Sequence, residues 1–293
     1  MSECYLCPRM CGVDRAANGR GVCRQGDTVR ISRAALHMFE EPPISGTRGS
    51  GTVFFSGCSL RCVFCQNRDI SRGEDIGSPV SASELADIFL RLEAEGAHNI
   101  NLVTPTHFAN GIITALELVK PRLSIPVVYN TSGYERVETL RGFEGLVDIY
   151  LPDFKYASRE LAAKYSAAPD YPDVALSALS EMFRQVGEYS YGKDGMLKNG
   201  LVVRHLILPS GRRDSMEVLR LLSELLPVHD ILLSLMSQYT PEFADDCQYS
   251  ELRRRLTSFE YDSVLKYAEE LGFDGFMQGR EAATTVYTPD FGK

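Results

Sequence analysis

The chain lacks any apolar run of about 18 residues, the length a membrane-spanning helix needs, so no such helix is expected. Its opening, MSECYLCPRMC, holds no apolar stretch, and no secretory leader is expected. Basic charge is in deficit. The 31 Lys and Arg against 39 Asp and Glu leave a net charge of −8, which disfavours a role on nucleic acid. Tryptophan is absent, which by itself excludes no fold. There is no internal repeat and no low-complexity tract. Hydrophobic residues at 44% and charged residues at 24% are ordinary for a globular protein and exclude disordered, collagenous and coiled-coil classes. The 293 residues suit one large domain or two small ones.

What the sequence does have is cysteine in clusters. The eight are Cys4, Cys7, Cys11, Cys23, Cys58, Cys62, Cys65 and Cys247. A disulfide framework of a secreted protein spreads over a short chain. Here seven cysteines crowd into the first quarter with C-x2-C spacings, which reads as metal or cluster ligation in a reducing, cytoplasmic compartment.

Residues 1 to about 28 are rich in Cys, Gly and Arg and poor in large apolar side chains, so a bound metal would explain how they order. Residues 29–45 read as extended, ending at Pro42-Pro43, and 1–45 is taken as a Cys-rich extension. From there the rhythm changes. Apolar strands at 52–57, 99–104, 126–130, 147–153, 201–208 and 230–237 alternate with helical stretches near 82–96, 108–120, 135–142, 158–190, 215–226 and 261–272. Ser81 and Glu84 form a capping box ahead of the first of these helices, and Gly96 ends it. GFMQ (275–278) is a candidate last strand. The alternation predicts an α/β fold with a parallel sheet, either doubly wound or a full or partial barrel, over 46–281, with a tail at 282–293. Special residues recur after successive strands: Cys58, then Thr104 to His107, Asn130 to Gly133, Asp153, Lys155 and Pro209. The functional face of parallel α/β folds lies at those strand ends.

The segment GCSLRCVFCQN sets Cys58, Cys62 and Cys65 as C-x3-C-x2-C directly after a strand. Three thiolates on one loop can hold three corners of a cubane iron–sulfur cluster and leave its fourth iron open. Structural zinc and ferredoxin clusters want four protein ligands. The competing reading is zinc with a distant fourth ligand such as a histidine.

CSLRCVFC, with the aromatic Phe64, resembles the signature of radical S-adenosylmethionine (radical SAM) enzymes. That resemblance implies a partial (β/α)6-type parallel barrel with a Cys-rich N-terminal extension. It also implies a [4Fe–4S] cluster on Cys58, Cys62 and Cys65, S-adenosylmethionine chelated to the open iron, and Phe64 near the adenine. One electron then cleaves the sulfonium to give a 5′-deoxyadenosyl radical, which abstracts a hydrogen atom. Residues 49–58 are similar to the segment before the cluster in glycyl-radical-enzyme activases such as pyruvate formate-lyase activating enzyme, and Cys65-Gln-Asn-Arg-Asp69 resembles that group's C-H-N-R-D. Asn130-Thr-Ser-Gly133 resembles its D-T-N-G, Asp153-Phe-Lys155 its D-x-K, and Arg204 with Pro209 its R-x4-P.

Two departures stand out. Thr104-Pro-Thr-His107 replaces the Gly-Gly-Glu that holds the methionine ammonium, and Asn130 replaces an Asp. They point to the branch of iron–sulfur proteins related to the activase, in which a CxLCPRxC-type N-terminus occurs. The residues expected at the cofactor are Phe64, Thr104, Thr106, Asn130, Ser132, Asp153, Lys155 and Arg204, with no catalytic group assigned.

Cys4, Cys7, Cys11 and Cys23 can enclose either a zinc ion or a second iron–sulfur cluster. They are expected to serve folding, docking or electron delivery. His107 is a candidate hydrogen-bonding group in the mouth, and His205 a structural residue. The function expected is that of an activase-like radical SAM oxidoreductase, with a glycine of a partner glycyl radical protein as the hydrogen source and an electron donor such as flavodoxin or ferredoxin. The alternatives are a radical SAM enzyme acting on a small molecule or another macromolecule, and a non-catalytic electron carrier.

Overall fold

The computed structural model describes residues 3–74, 76–244, 247–277 and 291. In chain order the elements are β1 (Val29–His37), α1 (Pro42–Ser45), β2 (Ser50–Phe55), α2 (Arg68–Ser71), β3 (Ser78–Val80), α3 (Ala82–Ala94), β4 (Ile100–Val103) and α4 (Ala109–Val119). There follow β5 (Val127–Thr131), α5 (Val137–Arg141), β6 (Ile149–Pro152), α6 (Arg159–Ser166), α7 (Tyr171–Val186), β7 (Ser190–Tyr191) and β8 (Leu197–Leu206). The last are α8 (Arg212–Leu225), β9 (Leu232–Met236), α9 (Ser258–Glu270) and β10 (Gly275–Met277).

The sheet runs β10-β9-β8-β6-β5-β4-β2-β1-β3, with β7 paired to β8. From β2 to β10 along this order every pairing is parallel; β1 is antiparallel to β2, and β3 to β1. This is a mixed α/β fold with a mostly parallel open sheet, the partial barrel expected, with the Cys-rich segment ahead of it.

Strand periodicity divides the core. Leu102, Tyr129, Tyr150, Val203 and Leu235 face the helices, where α3 offers Leu85, Phe89 and Leu92 at helical spacing. The capping box of Ser81 and Glu84 is formed at the start of α3. On the inner face, Val128, Ile149, Leu151, Val202 and Leu232 close around Ile44.

That contact changes the reading of residues 29–45. The segment is not extended throughout, nor is it separate from the barrel. β1 is a strand of the sheet, and Pro42-Pro43 open the single turn of α1, where a missing N–H costs nothing. Ile44 of α1 then plugs the barrel interior. The helical stretch at 158–190 is likewise two helices, broken where Ala167 takes a left-handed conformation (φ 49°).

The extension proper lies on the loops at one end of the barrel. The Arg9 guanidinium donates to the carbonyls of Ser59 (2.9 Å) and Ser166 (2.9 Å). The Thr139 hydroxyl donates to the Leu6 carbonyl at 2.7 Å. Of the expected tail, only Phe291 is described, with its ring 5.3 Å from that of Phe54; the remainder of 282–293 and residues 278–281 lie outside the described residues. No helix among the described residues is long and apolar enough to cross a membrane.

Candidate functional site

A cavity of about 710 Å3 opens on the inner face of the sheet at the C-terminal ends of the parallel strands. Each strand supplies its inward residues there: Thr104 after β4, Asn130 to Ser132 at the end of β5, Asp153 after β6, Arg204 and Leu206 from β8, Ser234 and Met236 from β9. The loop after β2 brings Cys58, Cys62, Phe64 and Cys65 to the wall. Phe64 is buried edge-on among Tyr156, Tyr165 and Tyr239, with ring centroids 6.2–6.5 Å away.

The polar floor is a single network. Arg204 donates to Asp153 (3.1 Å), to Glu40 (3.2 Å) and to the Asn130 side-chain carbonyl (2.5 Å). Lys155 donates to the other Asp153 oxygen at 2.6 Å. Glu40 also accepts from Asn101 (2.9 Å) and Asn130 (3.3 Å). Burial would push the Asp153 carboxyl up, but Lys155 and Arg204 outweigh it and hold it below the usual carboxylate range. Asp153 holds the charges on both Arg204 and Lys155 against burial, helped at Arg204 by Glu41 and Glu40, so both cations are raised. Glu40 is raised, because burial exceeds what Arg204 and Asn101 return. Asp153 and Arg204 thus form an ion pair in the barrel interior.

Of the residues expected at the cofactor, Phe64, Thr104, Asn130, Ser132, Asp153, Lys155 and Arg204 line this one cavity. Thr106 does not. A tight helical turn at Thr106–Phe108 rotates it away, and its hydroxyl donates to the buried Glu135 carboxylate at 2.5 Å. His107 is not in the mouth either; its ring meets the Ser56 carbonyl at 2.6 Å, and burial holds its pKa down to about 4. His205 is structural, against the Phe154 carbonyl at 2.7 Å.

Sequence reasoning missed Glu40 and Glu41, which reach the cavity from the β1–α1 connection. Their one sequence signal is a pair of acids placed between an apolar strand and Pro42-Pro43. Such a pair is ordinarily solvated, and only the insertion of α1 buries it.

Cys58, Cys62 and Cys65 sit among donors aimed at sulfur. Cys58 accepts from the Leu60 N–H (3.4 Å), Cys62 from the Ser166 hydroxyl (3.0 Å) and Cys65 from the Ser71 hydroxyl (3.5 Å). Burial pushes the Cys58 thiol up to about 12 and raises Cys65, so thiolates here need a bound electrophile to stabilise them. Among the described residues no three His, Cys, Asp or Glu side chains converge on one point as a single ion requires.

A family model described as "Radical SAM superfamily" matches residues 52–247. The chain belongs to the radical SAM superfamily.

It is 30% identical over 281 residues to uncharacterized protein MJ0674 of Methanocaldococcus jannaschii, an alignment that covers 93% of this chain and 76% of that one. Among solved structures, a radical SAM methyltransferase from Sphaerobacter thermophilus aligns with a TM-score of 0.54 at 14% identity, over 78% of this chain and 66% of that one. Streptococcus suis SuiB bound to S-adenosylmethionine aligns with a TM-score of 0.51 at 11% identity, over 76% of this chain and 48% of that one. At these identities the likeness is one of fold. The chain spans about half the length of SuiB.

Radical SAM membership implies an enzyme with a [4Fe–4S] cluster and S-adenosylmethionine. The residues present fit that pair: three cysteines on one loop, each accepting a hydrogen bond at sulfur, with a polar cavity alongside. Of the N-terminal cysteines, Cys7 and Cys23 are buried and Cys4 and Cys11 half-buried.

Proposed function

We propose that this radical SAM enzyme reductively cleaves S-adenosylmethionine and uses the product to abstract a hydrogen atom from a substrate held in the 710 Å3 cavity. The observation that carries the reading is the donor set of Cys58, Cys62 and Cys65, three cysteines of one loop on the cavity wall, each accepting a hydrogen bond at sulfur. When bound there, the cluster and cofactor supply the one-electron cleavage of the sulfonium and a 5′-deoxyadenosyl radical.

The chain's own residues bind and orient. Phe64, fixed by three tyrosines, offers an apolar edge for the adenine. Arg204 carries more N–H donors than Asp153, Glu40 and Asn130 use, and those left suit the methionine carboxylate. Lys155, Asn130, Ser132 and Thr104 complete the polar wall. The buried aromatic and aliphatic rim (Phe54, Leu60, Val103) keeps water away from the reacting atoms.

The resemblance over residues 49–210 supports a partner glycyl radical protein as hydrogen source and a flavodoxin or ferredoxin as electron donor. We assign the N-terminal extension a supporting role, because Arg9 binds the cluster loop directly. The test is anaerobic reconstitution with dithionite as reductant. Methionine and 5′-deoxyadenosine in equal amounts are expected, and their absence from protein carrying a full cluster would overturn the proposal. A glycyl radical signal on an added candidate partner supports the activase reading. Turnover with small molecules alone opposes it.

A further inference from the structure

The loop that carries Cys58, Cys62 and Cys65 brings all three cysteines to the cavity. Away from the cavity it gathers arginines. Arg9, from the extension, donates to the Ser59 (2.9 Å) and Leu60 (3.3 Å) carbonyls of the loop. Arg72, just after α2, donates to those of Cys62 (3.1 Å) and Val63 (3.2 Å). Arg24, also of the extension, donates to the Arg72 carbonyl at 3.4 Å. Arg61 stands in the loop itself, with the like charges of Arg24, Arg72 and Arg9 around it. None of the four lines the cavity.

The charge of this group is not neutralised. A carbonyl accepts an N–H but carries no net charge, so Arg9 and Arg72 keep theirs. Among the described residues the one carboxylate paired with the group is Glu74, 3.8 Å from Arg24, and with side chains 64% and 44% exposed that pair is weak. Arg61 has no carboxylate partner among the described residues, and its Nε is buried without an acceptor. Two of the four sit on left-handed backbone, with φ 59° at Arg24 and 61° at Arg61. Glycine or asparagine is the usual residue in that conformation, so arginine stands at both positions against local preference. The chain that assembles this cluster of positive charge has a net charge of −8. Like charges crowded at a surface repel one another, and an anionic partner relieves the repulsion.

We propose that this outer face of the cysteine loop is the docking surface of an acidic electron-carrying protein, bound through carboxylates set against Arg9, Arg24, Arg61 and Arg72. An electron has two approaches to the loop: through the cavity, which cofactor and substrate fill during turnover, and across the outer face. A carrier on the arginine face stays out of the cavity and still lies against the loop that holds the cysteines. Met10, next to Arg9, and Val22, two residues from Arg24, are exposed and add the apolar contact that a protein partner uses. A nucleic acid is the poorer occupant, because the negative charge of the whole chain repels it. The inference places the electron donor, and it rests on the radical SAM reading for the need of one.

The test uses anaerobically reconstituted full-length enzyme and two acidic probes, a reduced flavodoxin and a reduced plant-type ferredoxin. Cluster reduction is followed by stopped-flow absorbance without S-adenosylmethionine, so it is read apart from cleavage. With at least one carrier, the second-order rate constant should fall at least about tenfold as salt rises from about 50 mM to about 500 mM, because screening removes the steering. Arg24→Gln combined with Arg61→Gln should lower the low-salt rate with that carrier by about tenfold and flatten its salt dependence. Dithionite is small and needs no docking surface, so its rate should stay within about twofold of wild type. If the double variant does not load its cluster, Arg24→Glu leaves the loop sequence intact and should lower the low-salt carrier rate at least about threefold. Wild-type rates indifferent to salt with both carriers overturn the inference. So does a cluster-loaded double variant that the carriers reduce as fast as wild type. Tighter binding of a DNA duplex than of either carrier also overturns it and assigns the face to nucleic acid. Wild-type protein whose cluster is reduced but which leaves S-adenosylmethionine uncleaved would remove the radical SAM reading, with the docking rates still standing.

Discussion

Thr104 is the residue on which the cavity spends backbone strain. It is β-branched and sits at φ 59°, where such side chains are outliers. Its N–H donates to the Asn130 carbonyl at 2.9 Å, so the strand end is held although the side chain disfavours it. A conformation of this kind costs roughly 1–3 kcal/mol and persists where its surroundings impose it. Thr104→Gly should therefore raise the melting temperature of the protein while weakening S-adenosylmethionine several-fold through loss of the hydroxyl. Unchanged affinity in the glycine variant would mean that the hydroxyl does not reach the cofactor. Glu135 makes a second residue-scale case. Burial raises its carboxyl to about 7, although Thr106, Thr131 and Tyr129 hydroxyls donate to it. The folded pKa lies above the unfolded one, so the favourable contribution is complete below the unfolded value near 4.5 and is lost as pH rises toward 7. Glu135→Gln should match the wild type in stability near pH 4.5. It should exceed it by about 3 kcal/mol above pH 7, given 1.36 kcal/mol per pKa unit. Denaturant midpoints across that range check this; a constant gap would mean that Glu135 does not titrate with folding.

At the scale of elements, the extension and the cluster loop behave as one unit. Arg9 holds the Ser59, Leu60 and Ser166 carbonyls and lies over the Tyr134 ring at 5.2 Å. Gly57, immediately before Cys58, takes φ 83°, and a Cβ there would come within 2.6 Å of the Cys23 carbonyl oxygen. Arg9→Ala should cost about 1.5–3 kcal/mol, the range for hydrogen bonds from a charged group, and speed iron release to a chelator. Release at the wild-type rate would show that the extension does not brace the loop. Element types were largely legible in the sequence because they are local properties. The capping box at Ser81 fixes the start of α3, and the inward and outward alternation along β5 and β8 is written in their residues. The Cys58 to Cys65 loop was legible for the same reason, since its three cysteines lie within eight residues. What was not legible depends on distant contacts. Glu40 meets Arg204 across 164 residues, and α1 is helical only because Ile44 finds the barrel interior. Thr106 was misplaced because a tight turn after β4, invisible in the strand pattern, rotates it onto Glu135.

At the scale of the molecule, an open, mostly parallel sheet collects side chains from β2, β4, β5, β6, β8 and β9 at one cavity, and the β1–α1 connection closes the floor. Breaking a buried, hydrogen-bonded ion pair by removing one partner typically costs about 3–5 kcal/mol, so the floor network should be as important to stability as to binding. The central claim is that Cys58, Cys62 and Cys65 carry the cluster at which S-adenosylmethionine is cleaved. The most direct measurement is iron and sulfide content together with 5′-deoxyadenosine formation, in anaerobic wild-type protein and in the variant with all three cysteines changed to Ala. The account predicts that the variant, with its N-terminal cysteines intact, loses one [4Fe–4S] complement of iron and all cleavage. Undiminished iron, or cleavage that persists in the triple variant, would contradict it.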